Sequence, residues 1–167
     1  MRFNAHVYTM LIMRYNARIV NIDVENVMNE LSFENKLVAV LNKRIESGKA
    51  MNALAHMCIG LGAVIGQQDL RLTDYRDADG GSHPHISEIP FIILCDNSNK
   101  IRKLRQEAIN KNILFNDFTD TMTVGTYQEQ IERTLQVNED DLTYFGIVLF
   151  GAWDEVTALT RKCSLWR

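Results

Sequence analysis

One stretch of the sequence, residues 36–65, constrains the fold more than any other. It begins with five consecutive apolar residues at positions 37–41. An unbroken apolar run of this length predicts a strand that is covered on both faces of its sheet. A polar loop follows over residues 42–48, and apolar residues then recur at helical spacing over residues 49–65. The stretch therefore predicts a strand, a loop and a long helix, which is the repeating unit of an α/β fold.

The remainder of the chain alternates strands and helices in the same way. The pattern predicts further strands over residues 89–95, 113–118 and 144–150, and further helices over residues 98–112, 127–135 and 153–162. Residues 66–88 are polar and rich in aspartate and glycine, which indicates a long irregular loop. This alternation predicts an α/β domain of three layers, α/β/α, with a mixed, mainly parallel sheet of four or five strands.

The helix over residues 49–65 is expected to bury one apolar side. Helical spacing predicts its inward stripe, which comprises Met51, Leu54, Ala55, Cys58, Leu61, Gly62 and Ile65. Several small residues on this helix would let its axis come close to a sheet or another helix.

Residues 1–32 do not share the pattern of the rest. We predict an N-terminal extension over residues 1–32 and a single domain over residues 33–167. Met28 almost directly precedes the first strand, so an alternative interpretation is that the natural protein starts at Met28.

The composition is that of a soluble globular protein. Hydrophobic residues make up 46% of the chain and charged residues 23%, which are ordinary proportions. No apolar run in the sequence approaches the roughly 20 residues needed to span a bilayer, and the start lacks the apolar core of a secretory signal. The three cysteines are widely spaced, which favours reduced thiols. We therefore expect a cytoplasmic protein without membrane attachment.

The charge balance does not favour nucleic acid as a partner. Eighteen basic and 21 acidic residues give a net charge of −3, whereas binding to tRNA depends on neutralising phosphates. Residues 100–105 form a dense basic patch, which we interpret as the solvated face of a helix.

Three polar residues share one face at the start of the long helix. Lys49, Asn52 and His56 stand at i, i+3 and i+7, and a helix N-terminus favours an anionic or carbonyl group. A lysine clamp, an orienting amide and an imidazole base would form a small site. In the alternative interpretation Lys49 is solvated, Asn52 supports the first turn and His56 packs against its neighbours.

Two other segments supply candidate residues. His83 and His85 are metal-ligand types, but no second cluster accompanies them, so we predict no metal site and assign His83 to the wall of a pocket. Asp117, Thr119 and Thr121 follow the third strand, at the edge where ligands gather in α/β sheets; the alternative is that they close the turn. The sequence has no phosphate loop and no dinucleotide fingerprint, and we predict no cofactor.

Several of these segments together resemble the type II peptidyl-tRNA hydrolases. Gly48 and Lys49, followed by Ala53, Ala55 and His56, are similar to that family's strand-to-helix signature, and residues 101–117, 124–126 and 144–165 are similar to its later segments. The resemblance covers residues 36–167. It implies the hydrolase fold, a peptidyl-tRNA substrate, and Lys49 and Asp117 as catalytic residues.

The chain departs from the hydrolase pattern at two places. Ala53 stands where the hydrolases carry a glutamine, and Asp117-Phe118-Thr119 replaces their Asp-Ala-Gly step. A closer resemblance is to a bacterial family of the same superfamily, the domain of unknown function 2000. That pattern includes residues 86–90, 118–122 and 164–167. It implies the fold, and a shared fold does not transfer a reaction.

Three functions are consistent with these patterns. The first is binding of a small anionic or amide-bearing ligand, in a pocket between the start of the long helix, the 83–88 loop and the 117–123 turn. The second is hydrolysis of an ester or amide bond, such as that of peptidyl-tRNA, through Lys49 with Asp117 or His56. The third is self-association into a homodimer through the apolar face of the long helix.

Overall fold

The computed structural model of the protein describes residues 33–167, so the predicted extension over residues 1–32 lies outside the described residues. The strands are β1 (Asn35–Asn42), β2 (Leu72–Arg76), β3 (Ser82–Ser87), β4 (Phe91–Asp96), β5 (Leu114–Thr119), β6 (Tyr144–Ala152) and β7 (Ser164–Leu165). The α-helices are α1 (Ser47–Asp69), α2 (Ser98–Lys111), α3 (Tyr127–Leu135) and α4 (Trp153–Thr160). Two short 3-10 turns lie at Asp120–Met122 and Glu139–Asp141.

Five of the strands form one mixed sheet in the order β5-β6-β1-β4-β7. The pairing of β1 with β4 is parallel, whereas β6 runs antiparallel to both β1 and β5, and β7 runs antiparallel to β4. The sheet is mixed as predicted, but the expectation that it is mainly parallel is wrong. Strands covered on both faces have the same apolar sequence in either direction, so the pattern of β6 could not reveal its reversal.

Helices cover both faces of this sheet, which confirms the three-layer α/β/α arrangement. On one face, α1 packs against Leu37, Ala39 and Leu41 of β1. On the other face, α2 and α4 pack against Val38 and Val40. Every residue from 37 to 41 is therefore in the core, as the unbroken apolar run predicted.

The long helix buries a stripe that overlaps the predicted one in part: Leu61 and Ile65 are buried, and Leu54 and Cys58 are half-buried against the core. Its buried residues are Ala50, Ala53, Met57, Leu61 and Ile65. Met51 and Ala55, which were predicted to face inward, are exposed. The small side chains of Ala50 and Ala53 bring the helix close to the sheet, whereas the opposite side of α1 is also apolar, with Ile59 72% exposed. Two apolar sides on one helix left the choice of inward face open.

This composition gives α1 the character of a membrane-spanning helix by length and apolarity. Within residues 33–167 it is the one helix that meets those criteria, with a mean hydropathy of 1.3. The helix is not an unbroken apolar run, because Lys49, Asn52 and His56 interrupt its first half. A core helix of a soluble protein meets the same criteria, and α1 buries its inward stripe against the sheet.

Residues 66–88 were predicted as an irregular loop and instead contain the antiparallel hairpin β2–β3. Gly66 has a φ of 84°, which interrupts the helical geometry of α1 near its end. The hairpin turn is closed by Asp77, whose Oδ1 accepts hydrogen bonds from the amides of Asp79 and Gly81. Because most of its side chains are exposed, the hairpin has no buried apolar run from which it could be predicted.

Candidate functional site

A groove of about 550 Å³ lies between the N-terminal half of α1 and the helix α3. Its floor comes from the end of β5 and the 3-10 turn that follows it. The lining residues are Asn52, His56, Phe118, Met122, Thr123, Tyr127, Gln130, Ile131, Thr134 and Leu135. It has the size of an ordinary small-molecule site.

The floor of the groove is set by the direction of side chains along β5. Alternate residues of a strand point to opposite faces, and Asn116 and Phe118 both point toward α1. The Asn116 amide donates a hydrogen bond to the carbonyl oxygen of Met57 at 3.2 Å. The Phe118 ring stacks on His56 with 5.7 Å between ring centroids and an interplanar angle of 30°. This stacking positions the imidazole against an apolar surface.

Asn52 and His56 stand four residues apart on α1 and both line the groove. Within residues 33–167, no protein group is hydrogen-bonded to either side chain. An asparagine side chain offers two N–H donors and one acceptor oxygen, and a neutral imidazole offers one donor and one acceptor. Both groups are therefore available to a ligand, and the prediction that these two residues share a face holds in the structure.

The opposite wall is α3, a short amphipathic helix. It begins with a capping box in which the side chains of Thr126 and Glu129 each bond the other's backbone N–H. Its apolar residues Tyr127, Ile131 and Leu135 recur every four positions and line the groove, and all three are exposed. None of the residues of α3 is buried. This wall is therefore attached to the domain by hydrogen bonds more than by packing.

Those hydrogen bonds involve the two threonines that were predicted to bind ligand. Thr119 and Thr121 are buried, and their hydroxyl oxygens lie 2.9 Å apart. Thr134 of α3 donates to Thr121 Oγ1 at 2.8 Å, and Arg133 Nη1 donates to the Thr121 carbonyl oxygen at 3.2 Å. The structure thus places Thr119 and Thr121 outside the lining of the groove, where Thr121 bonds α3 directly and Thr119 bonds Thr121.

Lys49 lies at the surface, outside the groove. Its Nζ forms an ion pair with Glu46 at 3.2 Å, and the two side chains are 59% and 78% exposed. The lining of the groove includes Asn52 and His56 but not Lys49. Of the three residues predicted to share one face, the structure brings two together.

Asp117 points to the other face of the sheet, toward α2. Its Oδ2 accepts a hydrogen bond from Arg105 Nε at 2.5 Å, and Arg105 Nη1 lies 3.2 Å from Glu139 Oε1. Burial raises the pKa of Asp117, and the attraction of Arg105 offsets only part of this effect. Lys49 and Asp117 therefore lie on opposite sides of the sheet.

His83 is on the β2–β3 hairpin, where its Nε2 lies 3.3 Å from Asp77 Oδ2. The hairpin does not contribute to the groove, so α3 takes the place that was predicted for the 83–88 segment. Among residues 33–167, no group of three or more His, Cys, Asp or Glu side chains could hold a metal ion.

Two half-buried cysteines, Cys58 and Cys163, are poor nucleophiles. Burial raises the pKa of the Cys58 thiol, and burial followed by the nearby Asp96 raises the pKa of Cys163 to about 11. A thiol with a raised pKa has little thiolate at neutral pH. No cysteine lines the groove, and its polar side chains are amide, hydroxyl and imidazole groups.

Sequence reasoning did not identify Phe118, Gln130 or Thr134 as residues of the site. The spacing of Tyr127, Ile131 and Leu135 does predict a short amphipathic helix. Only the tertiary structure shows that this helix leaves its apolar side exposed, opposite Asn52 and His56.

Comparisons with known proteins define the family and support the fold. A family model described as a protein of unknown function (DUF2000) matches residues 35–167. A solved protein of unknown function from Agrobacterium tumefaciens strain C58 superposes with a TM-score of 0.69. The two sequences are 18% identical, and the match covers 81% of this chain and all of the solved one. No curated protein matches the chain. Because the family model spans most of the sequence, the chain belongs to the DUF2000 family of proteins of unknown function.

Proposed function

We propose that the domain binds a small, uncharged ligand in the groove between α1 and α3. The ligand would have an aromatic or aliphatic body and an amide-type group that donates and accepts hydrogen bonds. One observation carries the proposal: Asn52 and His56, whose side chains have no hydrogen-bond partner among residues 33–167, face a groove of about 550 Å³ whose other surfaces are largely apolar.

The lining of the groove supports a neutral ligand over an anionic one. None of its lining residues is Asp, Glu, Lys or Arg. A charged ligand would lose hydration there without gaining a partner of opposite charge, which is costly. The amide-bearing form of the predicted ligand therefore has more support than the anionic form.

The walls of the groove suggest how such a ligand would be held. A flat ring would pack between the Phe118 ring and the apolar residues Tyr127 and Ile131 of α3. Its amide would then face Asn52, whose side chain can donate to a carbonyl oxygen and accept from an N–H at the same time.

Benzamide and benzoate form a matched pair of probes for this proposal, because they share a ring and differ in charge. We expect benzamide to cause saturable shifts in the backbone amide NMR signals of Asn52, His56 and Thr123. Its affinity should be millimolar, as suits a ligand of so few atoms. Benzoate should bind at least about tenfold more weakly, since no lysine or arginine lines the groove.

Two variants locate the binding site. Asn52→Ala should weaken benzamide binding several-fold, whereas Gln67→Ala, an exposed amide near the other end of α1, should leave it unchanged. Equal binding of benzamide and benzoate, or equal weakening by both variants, would reject the proposal.

Hydrolysis of an ester or amide bond, such as that of peptidyl-tRNA, is the second candidate. It draws on the resemblance to type II peptidyl-tRNA hydrolases and on the position of His56 in the groove, where an imidazole could act as a base. The placement of Lys49 and Asp117 on opposite sides of the sheet does not support these two residues acting together.

Hydrolysis of N-acetyl-aminoacyl-tRNA by the purified protein tests this candidate. If the groove is catalytic, turnover should be lost in His56→Ala and retained in Asp117→Asn and Lys49→Ala. If Lys49 and Asp117 form the catalytic pair, both of their variants should lose turnover. If the folded protein shows no turnover, hydrolysis of peptidyl-tRNA is rejected as its function.

A further inference from the structure

A second cleft, of about 370 Å³, lies at the carboxyl ends of β1 and β4. It is formed by the loop that follows β1, the start of α2 and the residue before β6. The lining residues are Asn42, Arg44, Ile45, Asn97, Ser98, Asn99 and Thr143. None of them belongs to the groove between α1 and α3.

The topology of the sheet explains why a cleft opens here. The neighbouring strands β1 and β4 run parallel, but the helices that follow them pack on opposite faces of the sheet. The chain therefore leaves the two strand ends in opposite directions, and a crevice remains between them. In open α/β sheets, ligands bind in the crevice at such a switch point.

The cleft is lined mainly by amide and hydroxyl side chains together with one arginine, and no aspartate or glutamate lines it. Arg44 contributes a guanidinium group that forms no ion pair within residues 33–167. Ser98 Oγ accepts a hydrogen bond from the Tyr144 amide at 2.9 Å, and its hydroxyl hydrogen has no acceptor in the described part of the chain. Asn99 and Thr143 add an amide and a second hydroxyl.

Buried contacts hold this lining in place. Asn42 is only 2% exposed, its amide donates to the Tyr144 carbonyl oxygen at 2.8 Å, and its Oδ1 accepts from the Arg44 backbone N–H at 3.0 Å. The loop that carries Arg44 is therefore tied to β6. The side chain of Asn97 already caps the Lys100 amide of α2, so the side chains of the cleft, and not the helix end, define the site.

One carboxylate lies beside the cleft. Asp96 Oδ1 accepts hydrogen bonds from the backbone and side-chain N–H groups of Asn97 at 2.8 and 3.2 Å. These two hydrogen bonds keep Asp96 Oδ1 directed toward Asn97, and Asp96 does not line the cleft.

We infer that this cleft is a second binding site, which takes the phosphate group of a small phosphate ester. An arginine with several neutral donors matches a group that has one concentrated negative charge and several acceptor oxygens. A neutral sugar or alcohol would leave Arg44 without a charged partner. The inference does not depend on the groove or on its proposed ligand.

Ribose 5-phosphate, inorganic phosphate and ribose are the probes that test it, added to the full chain at constant ionic strength. We expect ribose 5-phosphate to cause saturable NMR shifts at Arg44, Ser98, Asn99 and Thr143, and ribose to cause none. Tighter binding of ribose 5-phosphate than of phosphate supports an ester. Equal binding of the two would overturn the ester and leave inorganic phosphate as the ligand.

Three variants complete the experiment. Arg44→Gln should weaken ribose 5-phosphate binding at least about tenfold, as expected for a lost charge-assisted pair. Arg76→Gln removes the same charge from the exposed hairpin and should change nothing. Asn99→Asp places a carboxylate in the first turn of α2, where the helix dipole favours it, so this variant should fold normally and bind no phosphate. Absence of saturable shifts, or equal binding by Arg44→Gln, would overturn the inference.

Discussion

Arg105 Nε donates a hydrogen bond to Asp117 Oδ2 at 2.5 Å and thereby ties the edge strand β5 to α2. The two residues depend on this contact unequally. Arg105 also reaches Glu139 at 3.2 Å, and its guanidinium lies 5.8 Å from the centre of the Phe115 ring. Within the described chain, the Asp117 carboxylate is bonded to Arg105 alone.

This asymmetry predicts different effects for the two neutralising substitutions. Arg105→Gln leaves a carboxylate that is only 16% exposed without its partner and close to Glu139. Removing one partner of a fully buried ion pair costs about 3–5 kcal/mol. Because Arg105 is partly exposed, we expect the free energy of unfolding to fall by about 2 kcal/mol. Asp117→Asn leaves Arg105 with Glu139 and should cost less than about 1 kcal/mol. Urea unfolding at neutral pH measures both; equal losses would contradict the prediction.

The pH dependence of stability should carry the signature of Asp117. Its pKa in the folded state is raised above the ordinary value of 3.8, first by burial, so the folded state holds this proton to a higher pH than the unfolded state does. The stability that Asp117 contributes is then fully present below pH 3.8 and is lost as the pH rises through the folded pKa.

The difference in free energy of unfolding between the natural protein and Asp117→Asn isolates this effect. We expect the natural protein to lose stability relative to the variant as the pH rises from below 3.8 toward neutrality. Urea unfolding at a series of pH values measures the difference. A difference that stays constant, or that changes in the opposite direction, would show that the folded pKa is not raised.

Two glycines of α1, only two positions apart, should respond differently to alanine. A Cβ at Gly62 would meet only Leu70 Cδ1, at an ordinary 3.8 Å, so Gly62→Ala should stabilise the protein by about 0.5–1 kcal/mol through helix propensity. A Cβ at Gly60 would lie 2.5 Å from Asn116 Nδ2 and would displace the amide that bonds the Met57 carbonyl. Its cost of about 1 kcal/mol should cancel the gain. Thermal unfolding of both variants checks this contrast.

The attachment of α3 should depend on Arg133. Its Nη1 donates to the carbonyl oxygens of Thr121 and Val124 at 3.2 and 3.0 Å, and α3 buries none of its own residues. Arg133→Ala should therefore speed amide hydrogen exchange throughout α3, while the global free energy of unfolding changes by less than about 0.5 kcal/mol. Gln136→Ala, at the exposed position that follows α3, is the control and should leave the exchange of α3 unchanged. Loss of global stability in Arg133→Ala would mean that α3 is part of the core.

The candidate site shows what helical spacing predicts correctly and what it does not. Asn52 and His56 were identified from their positions on the long helix, and both line the groove. Lys49 has the helical spacing of the same face but lies in the first turn of α1, where its ammonium group forms an exposed ion pair with Glu46. Spacing gives the direction of a side chain from the helix axis, and the neighbours decide what that side chain contacts.

On β5, the sequence does not show which of the alternating residues faces which side of the sheet. Asp117 was a candidate from its position near a strand end, yet Phe118 faces His56 and Asp117 faces α2. A strand with helices on both sides has no solvent face, so polarity does not reveal which residues point toward which layer.

The amino-acid sequence by itself determined the alternation of strands and helices, the layered α/β class and the burial of residues 37–41, because local apolar periodicity encodes these features. Only the tertiary structure decided the insertion of β6 between β1 and β5, the inward side of α1 and the meeting of α1 with α3 across the groove. Each of these depends on contacts between segments far apart in the chain. The relative free energies of alternative arrangements depend on how closely these distant segments pack, and a local sequence pattern does not encode that packing.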